Sequence, residues 1–120
     1  MKRLFNTLFI STAVTVLAAS QAEAAQVKAV TFESNGATLV GDLYLPDDYV
    51  AGQELLGVVV TGSWTSVKEQ MSGLYAEALA DRGYAALAFD FRNFGESAGD
   101  IRGLESPALK IADIQAAAEN

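Results

Sequence analysis

One serine of the chain lies in a pattern that could carry out nucleophilic chemistry. Residues 95–99 read Gly-Glu-Ser-Ala-Gly and fit G-x-S-x-G, in which the central serine, here Ser97, attacks an ester or amide carbonyl. A serine hydroxyl is a weak nucleophile at neutral pH and needs an adjacent base, usually histidine. The chain contains no histidine and no cysteine. The pattern therefore indicates acyl-transfer chemistry without a complete Ser-His-acid triad.

The surroundings of Ser97 differ from those of a working nucleophile. Such a serine needs a strand directly before its pattern and a helix directly after it. Here Arg92-Asn93-Phe94 separates the apolar run 84–89 from Gly95, and residues 98–105 are rich in loop formers. We therefore interpret the G-x-S-x-G match as accidental, with a catalytic Ser97 as the alternative. The interpretation gives four residues a structural role in this loop, in which the first two fasten it by hydrogen bonds or an ion pair: Asp90, Arg92, Gly95 and Ser97.

The elements around this loop predict a sheet of mixed direction. Residues 27–33 and 38–45 are strand-like and flank Asn35-Gly36, which accepts the positive φ angles of a tight turn, so they should pair as an antiparallel hairpin. Residues 55–61 and 84–89 are continuous apolar runs. Runs without polar alternation are typical of strands that are buried on both faces of a parallel sheet.

Two helices are predicted after the third and fourth strands. Ser66-Val67-Lys68-Glu69 fits the S-x-x-E capping box, and Gly83 suits a C-terminal cap. The predicted apolar face of this helix consists of Met71, Leu74, Tyr75, Ala78 and Leu79. A second helix should begin at Ser106-Pro107. Its predicted apolar side consists of Leu109, Ile111, Ala112 and Ile114. A helix between two buried strands forms a right-handed βαβ unit, which predicts the α/β fold class.

Two motifs follow the buried strands. Thr61-Gly62-Ser63-Trp64 comes after one, and D-x-R-x-x-G-x-S, from Asp90, comes after the next. This order of elements and motifs resembles the N-terminal part of α/β-hydrolases. The resemblance is strongest to the exported dienelactone-hydrolase-like or acyl-peptidase-like branch of this superfamily. It covers nearly all of residues 25–120. It implies an incomplete α/β-hydrolase sheet, with the nucleophile elbow, the acid and the histidine further along in a full-length relative. It implies no cofactor.

The function implied by the resemblance is that of a fragment of an exported ester or amide hydrolase with a serine, or less commonly a cysteine, nucleophile. Its partner would be a small-molecule ester or amide substrate, and the fragment alone should be inactive. Two alternatives stay open, namely a small non-catalytic binding module and a truncated product without its own activity.

The resemblance also gives a role to the turn after the third strand. In the family this turn supplies one backbone N–H of the oxyanion hole, and by position the donor is Ser63, with Trp64 next to it. The alternative is an ordinary strand-to-helix turn. The Trp64 side chain would line the substrate cleft or, alternatively, pack beneath a loop.

The N-terminal residues have the features of a secretory signal peptide. Met1-Lys2-Arg3 is a positive region, residues 4–19 are mostly apolar, and Ala22-Glu23-Ala24 fits an A-x-A cleavage site. We therefore expect residues 1–24 to be a signal peptide, residues 25–120 to be the domain, and the product to be periplasmic or secreted. An uncleaved membrane anchor is the alternative, but a spanning helix needs about 20 mostly apolar residues.

Charge and composition exclude several other classes. The net charge is −7 for the chain and −8 without residues 1–24, which argues against nucleic acid and anionic membranes as partners. The absence of cysteine and histidine argues against a transition-metal site. Asp47-Asp48 is interpreted as a turn rather than a calcium site. The oligomeric state stays open.

Overall fold

The computed structural model describes residues 24–120, so the predicted signal peptide lies outside the described residues apart from Ala24. The described chain begins with an antiparallel hairpin of β1 (Gln26–Ser34) and β2 (Ala37–Leu45). Asn35 (φ 44°) and Gly36 (φ 79°) connect the strands, and positive φ at both central residues is the requirement of a type I′ turn. The predicted hairpin is confirmed.

The remaining strands extend this hairpin into an open sheet. Strands β3 (Gly57–Val60) and β4 (Ala85–Phe89) pair in parallel, and α1 (Met71–Ala80) lies between them in sequence. The strand order is β1-β2-β4-β3, with β2 and β4 antiparallel. Helix α2 (Pro107–Glu119) follows. Four strands of mixed direction and two helices confirm the predicted α/β class.

The core divides between the two faces of β4. Ala86 and Ala88 pack with Ala76 of α1, whereas the alternate residues Leu87 and Phe89 point to the opposite face. There they join a larger cluster with β1, β2, the loop after β4 and α2, which contains Phe32, Ala37, Leu39, Phe91, Phe94 and Ala117. Strand β4 is therefore the most deeply buried element and provides a rigid base for the loop that follows it.

Strand β3 differs from its prediction. It begins at Gly57, and Leu56 before it is exposed. Its valines are only half-buried. Within residues 24–120, β3 pairs only with β4, so one side of its backbone lies at the edge of the sheet. The prediction of a strand buried on both faces is wrong for β3 and confirmed for β4, because an edge strand has neighbours on one side only.

The apolar face predicted for α1 is wrong for its three largest residues, whereas Ala78 and Leu79 are half-buried and Leu79 packs against the core. Met71, Leu74 and Tyr75 are 52%, 69% and 61% exposed. The buried residues of α1 are Ser72, Gly73, Ala76 and Ala80. The β4 face beneath the helix carries alanines, so the helix backbone approaches the sheet closely and only small side chains fit between them.

Helix α2 begins as predicted but buries a different side. Pro107 occupies its first turn, and Ser106 Oγ accepts a 3.5 Å hydrogen bond from the Leu109 N–H. Ile111 and Ile114 are exposed, so this part of the predicted apolar side is wrong. The fully buried residues are Asp113 and Ala117. Neither helix is long and apolar enough to cross a lipid bilayer.

Candidate functional site

Two loops meet at one edge of the sheet. Because β3 and β4 are parallel, with Val60 paired to Ala88, the segments after both strands begin at the same edge. This is the edge at which open α/β sheets bind their ligands. Ser63 and Trp64 follow β3, and Asp90 follows β4 directly. The sequence-predicted turn and the sequence-predicted loop are therefore neighbours.

The turn after β3 is held by Ser66. The Ser66 N–H and Oγ both donate to the Ser63 carbonyl, at 3.3 and 2.8 Å. A Cβ at Gly62 would lie 2.1 Å from Ser66 Oγ, so a larger residue there would displace the hydroxyl that closes the turn. The predicted capping box is wrong, because the Ser66 hydroxyl closes this turn and α1 begins later, after Gln70.

The turn presents free backbone donors. Among the described residues, no acceptor takes a hydrogen bond from the Ser63 or Trp64 N–H. Thr65 has a φ of 58°, which is a strained conformation for a β-branched residue. Such strain persists only where the surrounding structure fixes it, and it concentrates at functional sites.

Trp64 lies on the surface rather than beneath a loop. Its side chain is 68% exposed, and the Lys110 ammonium of α2 lies 5.9 Å from its ring centroid. Lys110 also forms a 2.5 Å ion pair with Glu105 and lies 4.6 Å from the Phe91 ring. The indole is therefore at the boundary between the turn and α2, where a ligand at this edge of the sheet could contact it.

Asp90 joins the two loops. It is fully buried, and its Oδ1 accepts a 2.8 Å hydrogen bond from the Lys68 N–H. Its Oδ2 accepts a 2.9 Å hydrogen bond from the Glu96 N–H. A Cβ at Gly95 would lie 2.1 Å from Asp90 Oδ2, which explains why glycine is required in this loop. Asp90 and Arg92 do not pair with each other.

Lys68 is a buried lysine surrounded by carboxylates. Its side chain is 3% exposed, and its ammonium pairs with Glu69 and, at 2.5 Å, with Glu96. Asp42 of β2 and Asp90 lie 3.7 and 3.8 Å away. Lysine is almost never fully buried without partners, and these four acidic groups compensate the buried charge. The sequence interpretation gave Lys68 no role beyond the predicted cap.

These contacts change the acidity of the groups involved. Burial acts to lower the pKa of Lys68, but its hydrogen bonds with Glu69 and Glu96 and the charges of Asp42 and Asp90 outweigh burial and raise the pKa above its ordinary value of 10.5. The hydrogen bond with Lys68 lowers the pKa of Glu69. Burial raises the pKa of Asp42, and the charge of Lys68 offsets only part of this rise. Lys68 is therefore fully charged at neutral pH.

Oxygen atoms of Glu69, Asp90 and Glu96 lie within 4.8 Å of one another, as in many cation sites. The Lys68 ammonium lies among them and supplies a positive charge. The carboxylates thus have a partner within the chain itself.

The Ser97 hydroxyl is hydrogen-bonded to backbone groups on both its donor and its acceptor side. The residue is 2% exposed. Its Oγ donates a 2.6 Å hydrogen bond to the Asp90 carbonyl and accepts one of 2.9 Å from the Val40 N–H of β2. Both functions of the hydroxyl are used inside the protein, which favours the structural interpretation of Ser97 over a catalytic one.

Arg92 anchors the other side of the loop. Its guanidinium contacts Ser34 at the end of β1 and lies 3.2 Å from Asp113 Oδ1. The Asp113 carboxylate also accepts from the Arg92 N–H at 2.9 Å and from Ser34 Oγ at 2.6 Å. Asp113 was missed from the sequence, although a charged residue between Ala112 and Ile114 on an apolar stretch is a recognisable sign of a buried ion pair.

Two curated proteins are similar to this chain over most of its length. An uncharacterized protein of Pseudomonas aeruginosa, PA2218, is 45% identical over 91 residues, which are 75% of this chain and 24% of PA2218. An uncharacterized protein of Escherichia coli, YcjY, is 35% identical over 74 residues, which are 62% of this chain and 24% of YcjY. The chain thus spans about a quarter of the length of these relatives. No model of a known protein family matches it.

Solved structures identify the fold. The crystal structure of PA2218 superposes with a TM-score of 0.75 and 42% identity, covering 82% of this chain and 30% of that one. XC6422 from Xanthomonas campestris, described as an α/β serine hydrolase without a lid, superposes with a TM-score of 0.61 and 27% identity over 78% of this chain and 43% of that one. The α/β-hydrolase GrgF from Penicillium superposes with a TM-score of 0.69, 22% identity and coverage of 78% and 31%. The described residues have the fold of the N-terminal part of an α/β-hydrolase.

The similarity to α/β-hydrolase structures shows which part of that fold the chain contains. The superposed segments cover 30% to 43% of the three related chains, which agrees with the predicted N-terminal part and its incomplete sheet. The turn at Ser63 and the loop at Asp90 follow β3 and β4 at the same edge of this sheet. The role of the Ser63 N–H as an oxyanion donor stays a prediction.

Replacing Thr65 by glycine is expected to stabilise the chain. A non-glycine residue with left-handed backbone costs about 1–3 kcal/mol, while glycine adds unfolded-state entropy of about 0.4–1 kcal/mol. We therefore expect Thr65→Gly to raise the free energy of unfolding by about 1 kcal/mol in urea denaturation. Thr31→Gly, at an exposed position of β1, is the matched control and should lower it. An equal loss in both variants would show that Thr65 carries no strain.

Proposed function

We propose that this chain is the N-terminal portion of a serine-type hydrolase of carboxylic esters or amides. In this proposal the turn after β3 provides one N–H of the oxyanion hole, from Ser63, with Trp64 as its neighbour. The observation that carries the proposal is that, among the described residues, no acceptor takes a hydrogen bond from the Ser63 or Trp64 N–H, at the edge where β3 and β4 end. A nucleophilic cysteine in place of the serine is the less favoured form.

The chemistry requires little of the turn's side chains. Attack on an ester or amide carbonyl places a negative charge on its oxygen, and fixed N–H donors stabilise this charge only as it develops. A backbone donor provides this stabilisation whatever its side chain is. The exposed Trp64 indole then offers an apolar surface for the substrate next to the donor.

The nucleophile, the acid and the histidine of the proposed enzyme belong to the part of the fold outside this chain. The chain contains no histidine, and the Ser97 hydroxyl already has two partners inside the protein. Within residues 24–120 one side of β3 has no strand beside it, and a further strand of the sheet would pair there. We accordingly propose that residues 25–120 alone are inactive.

We further propose that the protein is exported to the periplasm or secreted. The support is the sequence of residues 1–24, with its positive start, its apolar core and its Ala-Glu-Ala site. Cleavage before Ala25 would remove this segment and leave β1 close to the new N-terminus. Mass determination of the exported product tests the cleavage position directly.

A hybrid enzyme tests the proposed activity. Residues 25–120 would replace the corresponding segment of PA2218, and the hybrid, intact PA2218 and the chain alone would be incubated with a fluorophosphonate, which labels activated serines. We expect labelling of the hybrid and none of the chain alone, since a serine without an adjacent base reacts poorly. Labelling of the chain alone that disappears in Ser97→Ala would contradict the proposal, as would a folded, unreactive hybrid beside a reactive PA2218.

A further inference from the structure

The position of Lys68 is not explained by stability alone. A buried ion pair often contributes little to the free energy of folding, because removing both charges from water offsets their attraction. Yet the Lys68 side chain is 3% exposed and has four carboxylates around it. Buried charges of this kind are best known for fixing one arrangement of the chain among several.

Lys68 connects three separate segments at the ligand-binding edge. Its N–H donates to Asp90 Oδ1 at 2.8 Å, and its ammonium reaches Glu96 at 2.5 Å. These contacts join the segment after β3 to the loop after β4. The ammonium also lies 3.7 Å from Asp42, which adds β2. The backbone and the side chain of one residue therefore hold the two loops against the same strand pair.

The turn at Ser63 lies directly before this connection in the chain. The turn begins directly after β3, and two hydrogen bonds from Ser66 to the Ser63 carbonyl close it. Thr65 between them is strained, with a φ of 58°. Ser63, Trp64 and Thr65 are exposed, so burial does not hold them. The nearest buried anchor on the far side is Lys68, two residues after Ser66.

We propose that Lys68 is a positioning residue, which acts through Asp90 and Glu96 to fix the turn that carries the Ser63 N–H. Its catalytic meaning rests on the proposed function, but the positioning itself does not. Loss of the Lys68 charge should loosen the turn locally, while the sheet and the distant turns keep their stability. Lys68 touches no proposed reacting atom and is not a catalytic residue.

Amide hydrogen exchange of the chain itself tests this proposal. The Ser66 N–H, bonded to the Ser63 carbonyl, reports closure of the turn. The Tyr49 and Gln53 N–H groups make the same kind of bond, to the Pro46 and Val50 carbonyls at 3.1 Å, in a loop remote from Lys68. They are internal references, because global unfolding exposes all three amides together.

The variant Lys68→Met removes the charge and keeps most of the apolar stem. We expect exchange at Ser66 to rise about tenfold, the effect of losing one stabilising contact of ordinary strength on a local opening, with Tyr49 and Gln53 unchanged. Lys68→Arg keeps the charge and should restore most of the Ser66 protection. Arg82→Met removes an exposed positive charge just after α1, away from all three amides, and should alter none of them.

A milder variant covers the case in which Lys68→Met does not fold. Glu96 is 65% exposed, so Glu96→Gln should fold normally, weaken the ammonium contact and raise Ser66 exchange in the same direction. Unchanged Ser66 exchange, or an equal rise at all three amides in every folded variant, would overturn the proposal. The readout needs no enzymatic activity, so an unreactive hybrid would refute the proposed function and leave this result standing.

Discussion

Replacing Asp90 by alanine is expected to lower the free energy of unfolding by about 3–5 kcal/mol. The carboxylate is fully buried and accepts the Lys68 and Glu96 N–H groups. Alanine would leave both donors without an acceptor in a place that water does not easily reach. It would also remove one of the negative charges beside the Lys68 ammonium. A loss of this size is a large part of the stability of an ordinary domain.

Urea denaturation of three variants measures this effect. Asp90→Asn keeps the shape of the side chain, but its amide can accept through one oxygen only, so we expect an intermediate loss. Asp48→Ala, at an exposed loop position, is the matched control and should change stability by less than about 0.5 kcal/mol. Asp90→Ala and Asp48→Ala with the same unfolding midpoint would show that Asp90 does not hold the two loops.

The parts of the fold that local chemistry determines could be predicted from the sequence. The Asn35-Gly36 turn requires positive φ angles at two adjacent residues, and few sequences tolerate them. The Ser106-Pro107 helix start depends on one side-chain acceptor and one missing N–H. Strand β4 is apolar throughout and is buried on both faces. In each case the residues that form the sequence pattern are the same ones whose conformation or contacts define the turn, the helix start or the strand.

The buried face of α1 could not be predicted, because another element decides it. Helical spacing identifies the stripe with the largest apolar residues, here Met71, Leu74 and Tyr75, yet these are exposed. The β4 surface beneath α1 presents Ala86 and Ala88, and a helix that approaches so closely buries its own small residues. The β4 surface, rather than the sequence of α1, therefore determines which face of the helix is buried.

The same reason explains the missed role of Lys68. Within its own segment it looks like a solvent-exposed residue of a helix start, and the match to a capping box reinforced that interpretation. Its partners Asp42, Asp90 and Glu96 lie 26, 22 and 28 positions away in the sequence. A buried charge network of this kind is visible only after the strands have brought its members together.

Removing the Ser63 N–H is expected to produce the largest loss of activity. Ser63→Pro deletes this donor but keeps the carbonyl that accepts from Ser66. Loss of one oxyanion donor lowers turnover by about 10² to 10³. Ser63→Ala keeps the N–H and should change turnover little. Both variants would be made in the hybrid enzyme, with turnover of a chromogenic short-chain ester as the measurement.

Proline also fixes φ, so the two variants are comparable only if they melt at the same temperature as the unsubstituted hybrid. Equal turnover in Ser63→Pro and Ser63→Ala, at equal stability, would assign the donor to another residue, and Trp64→Pro would then be the variant to compare. A large loss in Ser63→Ala would mean that the hydroxyl itself takes part. The backbone assignment holds only if turnover falls when the N–H is lost and stays when the hydroxyl is lost.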